Sequence, residues 1–204
     1  MSKKPVIVFE GIEGSGKSFH IDNVSKYLKK KKIDHIKIRE PGGSKNAEKI
    51  RKLILNGKIN FHKDTDLLLY LASRSENMIL LKKILRKKII LIDRFLDSTI
   101  AYQHYGLGVN LPIIKRINSY LLKNFKIDFT FLNLVNKKNM ILRLKKRKNL
   151  NRYDKFKNNF YKKVQNGFIK ISKKNKKRYM IVDSNLDISR NKKLILKKVD
   201  QLIK

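Results

Sequence analysis

The residues of this sequence with the clearest capacity for chemistry form one glycine-rich stretch: Gly11, Ile12, Glu13, Gly14, Ser15, Gly16, Lys17 and Ser18. Glycines at this spacing let the backbone curl until several N–H groups point into one concavity, which suits a phosphate. Lys17 then supplies a positive charge for the β- and γ-phosphates of a nucleotide, and the Ser18 hydroxyl can ligate Mg²⁺. The pattern G-x-x-x-x-G-K-S therefore predicts a phosphate-binding loop. The alternative interpretation is a glycine-rich turn that only caps a helix.

The residues on either side of this loop favour phosphate binding. An apolar run at 6–9 predicts a buried strand before the loop, and Ile21, Val24 and Leu28 recur at helical spacing after it. Strand, turn and helix in this order are the context in which the motif binds phosphate. The N-terminus of the helix adds the positive end of its dipole to the loop.

The rest of the chain alternates between short apolar runs and helical patterns. The runs predict strands at 6–9, 35–39, 88–93, 129–135 and 178–183. The helical patterns cover 17–31, 47–55, 66–86, 111–123, 138–147, 156–172 and 190–203. This alternation predicts a single α/β domain over 1–204, a doubly wound parallel sheet with helices on both faces. The polar, charged segment 148–155 lacks apolar periodicity and is predicted to form a mobile flap.

Polar residues and glycines follow three of the predicted strands, and ligands of such sheets bind outside the carboxyl ends of the strands. The phosphate-binding loop follows the first strand. The sequence Arg-Glu-Pro-Gly-Gly at 39–43 ends the second strand, and Asp-Arg-Phe at 93–95 ends the third. Asp93 is placed to help hold Mg²⁺, and Arg39 and Arg94 to clamp a phosphate, for which the planar guanidinium is well suited. Structural ion pairs are the alternative role for both arginines.

Composition restricts the class of protein. The chain has 204 residues, no cysteine and a formal net charge of +35. Disulfides and thiolate metal sites are therefore excluded, no apolar run reaches the length of a membrane-spanning helix, and no signal peptide is apparent. We expect a cytoplasmic protein. The lysines are spread over the whole chain, which indicates a drift in composition rather than a nucleic-acid surface. A nucleic-acid-stimulated ATPase remains an alternative, and would hydrolyse ATP faster with DNA or RNA.

Taken together, these motifs resemble the thymidylate kinase family, whose members phosphorylate dTMP with ATP. The matching segments are GIEGSGKS, REPGG at 39–43, AEKIR at 47–51, LLLYLASR ending at Arg74, DRFLDSTIAYQ at 93–103 and RLKKRKNLNRYD at 143–154. The resemblance covers nearly the whole chain. It implies a P-loop NTPase-type fold with a five-stranded parallel sheet and a basic lid at about 147–155. It also implies ATP and Mg²⁺ as cofactors and a homodimer. Another nucleotide kinase on the same scaffold is the nearest alternative.

The resemblance also implies roles in acceptor binding. Tyr70, where the family usually has phenylalanine, would stack on thymine, and Arg74, four residues later on the same helix face, would bind the edge of the base. Gln103 would hold another edge, and Tyr102 would lie under the sugar and disfavour a ribose 2′-hydroxyl. Glu13 would lie near the 3′-hydroxyl of the sugar and the metal. The remaining substrate-binding residues would be Pro41, Arg51, Ser98 and Thr99. A core aromatic is the alternative for Tyr70, and a helix-end carboxylate for Glu13.

The catalytic cations implied by the resemblance include arginines of the lid. Gly14 matches the bacterial form of the family, in which a glycine replaces a loop arginine and lid arginines act instead. Arg143, Arg147 and Arg152 are the candidates, and Arg147 and Arg152 join Lys17, Arg94 and Glu13 as the predicted catalytic residues. The sequence departs from the usual family pattern at Lys148, Asn151 and Gln165.

Overall fold

The computed structural model describes residues 4–147 and 151–204. Within these ranges five strands form one fully parallel sheet: β1 (Val6–Glu10), β2 (His35–Arg39), β3 (Ile89–Asp93), β4 (Phe129–Leu134) and β5 (Tyr179–Asp183). Their order across the sheet is β2-β3-β1-β4-β5. The predicted α/β fold with a five-stranded parallel sheet is confirmed, and the strand bounds differ from the predicted ones by one residue at four of the ten ends.

The helices on the two faces are α1 (Lys17–Lys30), α2 (Lys45–Leu55), α3 (Lys63–Ile84), α4 (Leu96–Thr99), α5 (Leu111–Leu122), α6 (Lys137–Lys145), α7 (Asn158–Lys173) and α8 (Ile188–Ile203). Several begin earlier than periodicity predicted, because capping side chains set their first turn. Ser44, for example, accepts a hydrogen bond from the Ala47 N–H and starts α2 at Lys45. In the described part of the chain, no helix has the length and apolar character needed to span a membrane.

Sequence analysis missed a helical stretch after β3. The short helix α4 continues directly into a π-helical segment, Ile100–Gly106. A π-helix winds more widely than the 3.6-residue period used to find helices, so periodicity does not detect it. Such segments occur often at functional sites, and this one carries Tyr102 and Gln103.

Part of the predicted flap lies within the described residues. Residues 148–150 lie outside the described ranges, whereas Arg152–Lys155 forms a 3₁₀ turn. The Asn151 side chain accepts from the Tyr153 N–H, and the Asp154 carboxylate accepts from the Asn151 N–H. These reciprocal bonds close the turn and present the Tyr153 side chain to the protein interior, where it is 3% exposed.

The core lies on both faces of the sheet, because successive strand residues point to opposite sides. Ile7 and Phe9 of β1 pack against α1 and α8 on one face. Val6 and Val8 pack against α3 on the other. In the register of the sheet, Phe9 and Arg39 both lie opposite Asp93. The carboxyl ends of β1, β2 and β3 are thereby level, and the residues that follow them share one edge.

Candidate active site

The glycine-rich loop has the backbone geometry of a phosphate cradle. Gly11, Gly14 and Gly16 have φ values of 140°, 68° and 84°. A Cβ on Gly11 would lie 2.3 Å from the carbonyl oxygen of Asn133 on β4. Only glycine therefore allows the loop to leave β1 this close to the neighbouring strand. The loop leads directly into the N-terminus of α1, as the motif requires.

Lys17 folds back over this loop. Its Nζ donates to the Ile12 carbonyl at 2.9 Å and to the Ser15 hydroxyl at 3.4 Å. Burial and the nearby charge of Arg94 lower the pKa of Lys17 to about 8, although neighbouring carboxylates oppose the change. The ammonium group is thus close to its titration range at neutral pH, and a bound phosphate would favour its charged form.

Ser18 and Asp93, the residues predicted to bind Mg²⁺, form one corner of the site. The Ser18 hydroxyl donates to Asp93 Oδ2 at 3.3 Å. Asp93 Oδ1 is buried and has no hydrogen-bond partner among the described residues. A hydroxyl and a carboxylate are hard oxygen donors of the kind that Mg²⁺ takes from proteins, with water and phosphate oxygens completing its octahedron. The donor set therefore fits Mg²⁺.

Three predicted residues from distant motifs meet beside the loop. Arg94 donates to Glu13 Oε1 at 2.9 Å and to the Gly11 carbonyl at 2.8 Å. The Tyr102 hydroxyl donates to Glu13 Oε2 at 2.5 Å. Burial favours a higher pKa for Glu13, but the charges of Arg94 and Lys17 and the Tyr102 hydrogen bond outweigh it and lower the pKa. Glu13 is therefore held as a carboxylate.

Glu10, at the end of β1, holds the turn that carries Arg94. Its Oε1 accepts from the N–H groups of Phe95 at 2.9 Å and Ser98 at 3.2 Å, and its Oε2 accepts from the Ser98 hydroxyl at 2.5 Å. Burial, with a contribution from the nearby Asp97 carboxylate, raises the pKa of Glu10 to about 7. Arg94 itself has a φ of 66°, so this turn is held in a left-handed conformation unusual for a side chain of its size.

Residues from the end of β2 to α2 line the mouth of the site. The Arg39 guanidinium pairs with Glu48 at 3.2 Å, and 55% of its side chain is exposed. Arg51 donates to the Pro41 carbonyl at 2.6 Å. The Glu48 carboxylate also accepts from the Gly43 N–H at 2.9 Å, which connects α2 to the segment between β2 and α2. Arg39 therefore lies at the site, and a bound phosphate could replace Glu48 as the partner of its guanidinium.

Arg74 is almost completely buried. Only 1% of it is exposed, and each of its three nitrogens has a protein partner. Nε donates to Glu40 at 2.8 Å, one terminal nitrogen to Asn118 at 2.5 Å, and the other to Thr99 at 2.9 Å. The terminal nitrogen that bonds Thr99 also lies 2.7 Å from Glu40 Oε2, so most of the five N–H bonds of the guanidinium are directed at protein groups. Glu40 and Asn118 therefore fix the orientation of Arg74 within the site.

Gln103 lies at the inner end of the site. It is fully buried, its Nε2 donates to Asp66 Oδ2 at 3.4 Å, and its Oε1 has no partner among the described residues. Asp66 also accepts from the Tyr153 hydroxyl at 2.5 Å and from the Arg152 guanidinium. The Tyr153 ring meets Tyr70 edge-on, with centroids 6.0 Å apart.

These groups surround a single cavity of about 180 Å³. It runs from the phosphate-binding loop to the inner end of the site. Its lining includes the predicted residues Glu13, Lys17, Ser18, Arg39, Pro41, Arg51, Tyr70, Arg74, Asp93, Arg94, Ser98, Thr99, Tyr102, Gln103 and Arg147. One cavity thus joins a phosphate end and a deeper end lined by aromatic and amide groups.

Comparison with known proteins decides which family has this site. A family model described as thymidylate kinase matches residues 9–195. The chain belongs to the thymidylate kinase family. Its activity is that of the family, phosphoryl transfer to thymidylate by a nucleoside monophosphate kinase.

Individual relatives agree with the family model. A thymidylate kinase of Acholeplasma laidlawii is 40% identical over 189 residues, covering 89% of this chain and 92% of the relative. A thymidylate kinase of Kosmotoga olearia is 30% identical over 193 residues, covering 94% of this chain and 93% of the relative. A crystal structure of thymidylate kinase from Ehrlichia chaffeensis superposes with a TM-score of 0.76 at 31% identity, covering 96% of this chain and 98% of that one.

The three arginines considered for the lid occupy different places. Arg143, on α6, donates to the carbonyls of Gly14 at 2.9 Å and Ser184 at 2.7 Å, so it braces the outside of the phosphate-binding loop. Arg147 lines the cavity and pairs with Asp154 at 2.7 Å. Arg152 pairs with Asp66 behind Gln103. Lys148 lies outside the described residues.

Sequence reasoning missed several residues that shape this thymidylate kinase site. Glu40, Phe95, Asn151 and Tyr153 line the cavity, and Asp66 holds Gln103. Glu40 stands within the REPGG motif, and Asp66 lies four residues before Tyr70 on the same face of α3, so both had a sequence signal. Tyr153 stands within the segment at 143–154 that resembles the family, but its bond to Asp66, 87 positions away, is not visible in any local pattern.

Proposed function

We propose that this chain transfers the γ-phosphoryl group of ATP, bound with Mg²⁺, to dTMP and gives dTDP and ADP. The observation that carries the proposal is the single cavity that Lys17, Arg94 and Gln103 line together. It has a phosphate cradle at one end and a base-sized inner end. The acceptor phosphate is already an anion at neutral pH, so the reaction needs charge stabilisation and alignment rather than a general base.

On the donor side, the loop backbone and Lys17 would bind the β- and γ-phosphates. Lys17 would release the Ile12 carbonyl and turn to the phosphates, which favour its charged form. Ser18 and Asp93 would hold Mg²⁺ through the hydroxyl and the buried Oδ1. When bound, Mg²⁺ supplies positive charge to the phosphate oxygens. Ser18 and Asp93 would determine the position of this positive charge.

On the acceptor side, Arg94 and Arg39 would clamp the dTMP phosphate. The Arg94 guanidinium is oriented by the Gly11 carbonyl and by Tyr102, so part of its bonding capacity is already fixed toward the loop. Glu13 pairs with Arg94 and is also close enough to Lys17 to feel its charge, so it would face the sugar hydroxyl and keep both cations oriented. Pre-orientation of this kind reduces the free energy needed to align two polyanions.

At the inner end, Gln103, Arg74 and Tyr70 would bind the base, with Ser98 and Thr99 completing the wall and Arg51 holding Pro41 at the mouth. Tyr102 would lie under the sugar, since its hydroxyl is held by Glu13 beside the loop and its ring faces Tyr153. A hydroxyl added at the 2′ position would meet this ring. The site would therefore favour a deoxyribose.

The lid would supply the remaining charge. Gly14 brings no side chain to the phosphates, and its φ of 68° disfavours one. Arg147 is the described lid arginine that lines the cavity with Lys17. We therefore propose Arg147 as the arginine that meets the transferring phosphoryl group, while a role for Arg152 at the phosphates stays a prediction from the sequence.

We also propose a homodimer, in the cytoplasm. An exposed stripe runs along α3 at Leu68, Ala72, Ser75 and Ile79, spaced four, three and four residues apart and so on one helix face. Leu68 is 58% exposed and Ile79 is 60% exposed. Small residues in the middle of the stripe would allow two copies of the helix to pack closely.

A phosphoacceptor screen tests the proposal. Purified protein with Mg-ATP would be offered dTMP, dUMP, dCMP, dGMP and thymidine, and product would be followed by coupled ADP release and by chromatography. We expect dTMP to be the preferred acceptor. If the protein prefers another nucleotide or a nucleoside, dTMP is not its acceptor and this part of the proposal is wrong. ADP release that rises with added DNA or RNA, without a phosphorylated nucleotide, would favour a nucleic-acid-stimulated ATPase.

A further inference from the structure

Asp66 is a buried carboxylate that touches the base-binding end of the site without lining the cavity. It is 1% exposed, and its three bonded partners are the Gln103 amide, the Tyr153 hydroxyl and the Arg152 guanidinium. Arginine only donates hydrogen bonds, so the Tyr153 hydroxyl accepts from Arg152 at 3.1 Å and gives its own hydrogen to Asp66. Both carboxylate oxygens of Asp66 are therefore acceptors.

This direction of bonding fixes the orientation of the Gln103 amide. A carboxylate paired with arginine can only accept, so the NH₂ group of Gln103 must face Asp66. The opposite orientation would place the amide oxygen against the carboxylate and leave the NH₂ group without that acceptor. The remaining atom, Oε1, is buried without a partner among the described residues. A buried acceptor without a partner costs free energy that a ligand N–H would recover.

We propose that Asp66 is a positioning residue that makes Gln103 present a hydrogen-bond acceptor to the base, and thereby selects bases with a ring N–H. This inference rests on the proposed function, in which Gln103 reads the base. Thymine and uracil carry a ring N–H between two carbonyls. Cytosine carries an unprotonated ring nitrogen at the same place, which would face the Gln103 oxygen and repel it. The selection therefore acts against cytosine and leaves the choice between thymine and uracil to other contacts.

Asp66 also connects base selection to the Arg152–Lys155 turn, which covers the inner end of the site. Tyr153 belongs to the Arg152–Lys155 turn, lines the cavity and packs edge-on against Tyr70 and Tyr102 at 6.0 Å and 5.8 Å. Arg152 lies over the Phe61 ring at 5.7 Å from its centroid, which holds the cation beside Asp66. The turn that covers the inner end thus supplies two of the donors that keep Asp66 in place.

The test is the variant Asp66→Asn. The new amide has the same shape but can donate to Gln103 Oε1, which allows the Gln103 amide to invert and offer its NH₂ group to the base. We expect kcat/KM for dTMP to fall about ten- to a hundredfold, the usual effect of losing a buried hydrogen bond. We expect the ratio of dTMP to dCMP efficiency to fall by at least about tenfold as well. Calorimetric titration with each nucleotide in the absence of ATP should show the same change in relative affinity.

Two variants separate positioning from a merely structural role. Asp66→Glu keeps a carboxylate and should retain the preference for dTMP over dCMP. Tyr153→Phe removes one donor to the same carboxylate oxygen but keeps the charge, so it should also retain the preference, whatever its effect on turnover. In a Gln103→Met background, adding Asp66→Asn should not change the ratio further, because the group that Asp66 orients is gone.

The outcomes distinguish this inference from the proposed function. If the wild-type protein neither binds nor phosphorylates dTMP, the proposed function fails. If the wild type prefers dTMP and folded Asp66→Asn keeps the wild-type dTMP to dCMP ratio, Asp66 does not position Gln103. Should Asp66→Asn fail to fold, nuclear magnetic resonance of the wild type with dTMP labelled with ¹⁵N at the ring N–H decides. A slowly exchanging ring proton in the wild type that exchanges faster in Asp66→Ser supports the inference, and equal exchange rates in the two proteins overturn it.

Discussion

The guanidinium of Arg94 and the carboxylate of Glu13 form an ion pair of 2.9 Å at the point where β1 and β3 end. The two residues are 81 positions apart in the chain. Their side chains are only 19% and 9% exposed, so neither charge is well solvated. In this thymidylate kinase site, the pair holds in place the cation that we propose binds the acceptor phosphate.

We expect Glu13→Gln to destabilise the free protein by about 3 kcal/mol, because removing one partner leaves the other charge buried and uncompensated. A bound dTMP phosphate would supply the missing negative charge, so the loss should be smaller when dTMP is present. Urea unfolding with and without dTMP measures both values. An equal loss in the two conditions would show that Arg94 does not bind the acceptor phosphate.

Lys17 should gain a proton when ATP binds. Burial and Arg94 lower its pKa to about 8 in the free protein, and the phosphates would raise that pKa. At pH 8 roughly half of the lysines are uncharged, so binding should take up about half a proton per site. Calorimetric titration with Mg-ATP in two buffers of different ionisation enthalpy measures this uptake.

The variant Lys17→Ala serves as the matched control. It should show no such uptake, should keep the fold, and should lower kcat by roughly a hundredfold or more, as expected when a group that stabilises developing charge is removed. Near-normal turnover in this variant would contradict the assigned role.

Substitutions of the two lid arginines should change different kinetic parameters. Arg147 lines the cavity, so Arg147→Lys should lower kcat by on the order of a thousandfold with little change in the KM for dTMP, since lysine lacks the planar fork. Arg152 pairs with Asp66, so Arg152→Lys should mainly raise the KM for dTMP. Steady-state kinetics with varied dTMP and ATP measures both. The reverse pattern would show that Arg152 reaches the phosphates, as the sequence predicted.

Glu10 should make stability depend on pH. Burial raises its pKa from 4.5 to about 7 in the folded protein, so the native state binds the proton more tightly than the unfolded state. Its contribution to the free energy of unfolding is therefore lost as pH rises from about 4.5 to 7, by about 3 kcal/mol at most. Glu10→Gln should remove this dependence. Urea unfolding of both proteins at pH 5, 6 and 7.5 measures the difference, and parallel curves would exclude Glu10 as the titrating group.

The sequence by itself determined the fold class and most of the residues around the cavity. The spacing of Gly11, Gly14, Gly16, Lys17 and Ser18 requires a turn between a strand and a helix, and short apolar runs are sufficient to predict buried parallel strands. Local patterns carry this information because they reflect backbone geometry and burial over a few residues.

Only the tertiary structure decided which partners these residues have. The bonds from Arg74 to Asn118, from Tyr153 to Asp66 and from Arg94 to Glu13 join segments 44, 87 and 81 positions apart. No local spacing encodes such contacts, because they depend on how the strands order in the sheet and how the helices pack on it. The separate positions of Arg147 and Arg152 arise in the same way, since one faces the cavity and the other is held by a carboxylate from α3.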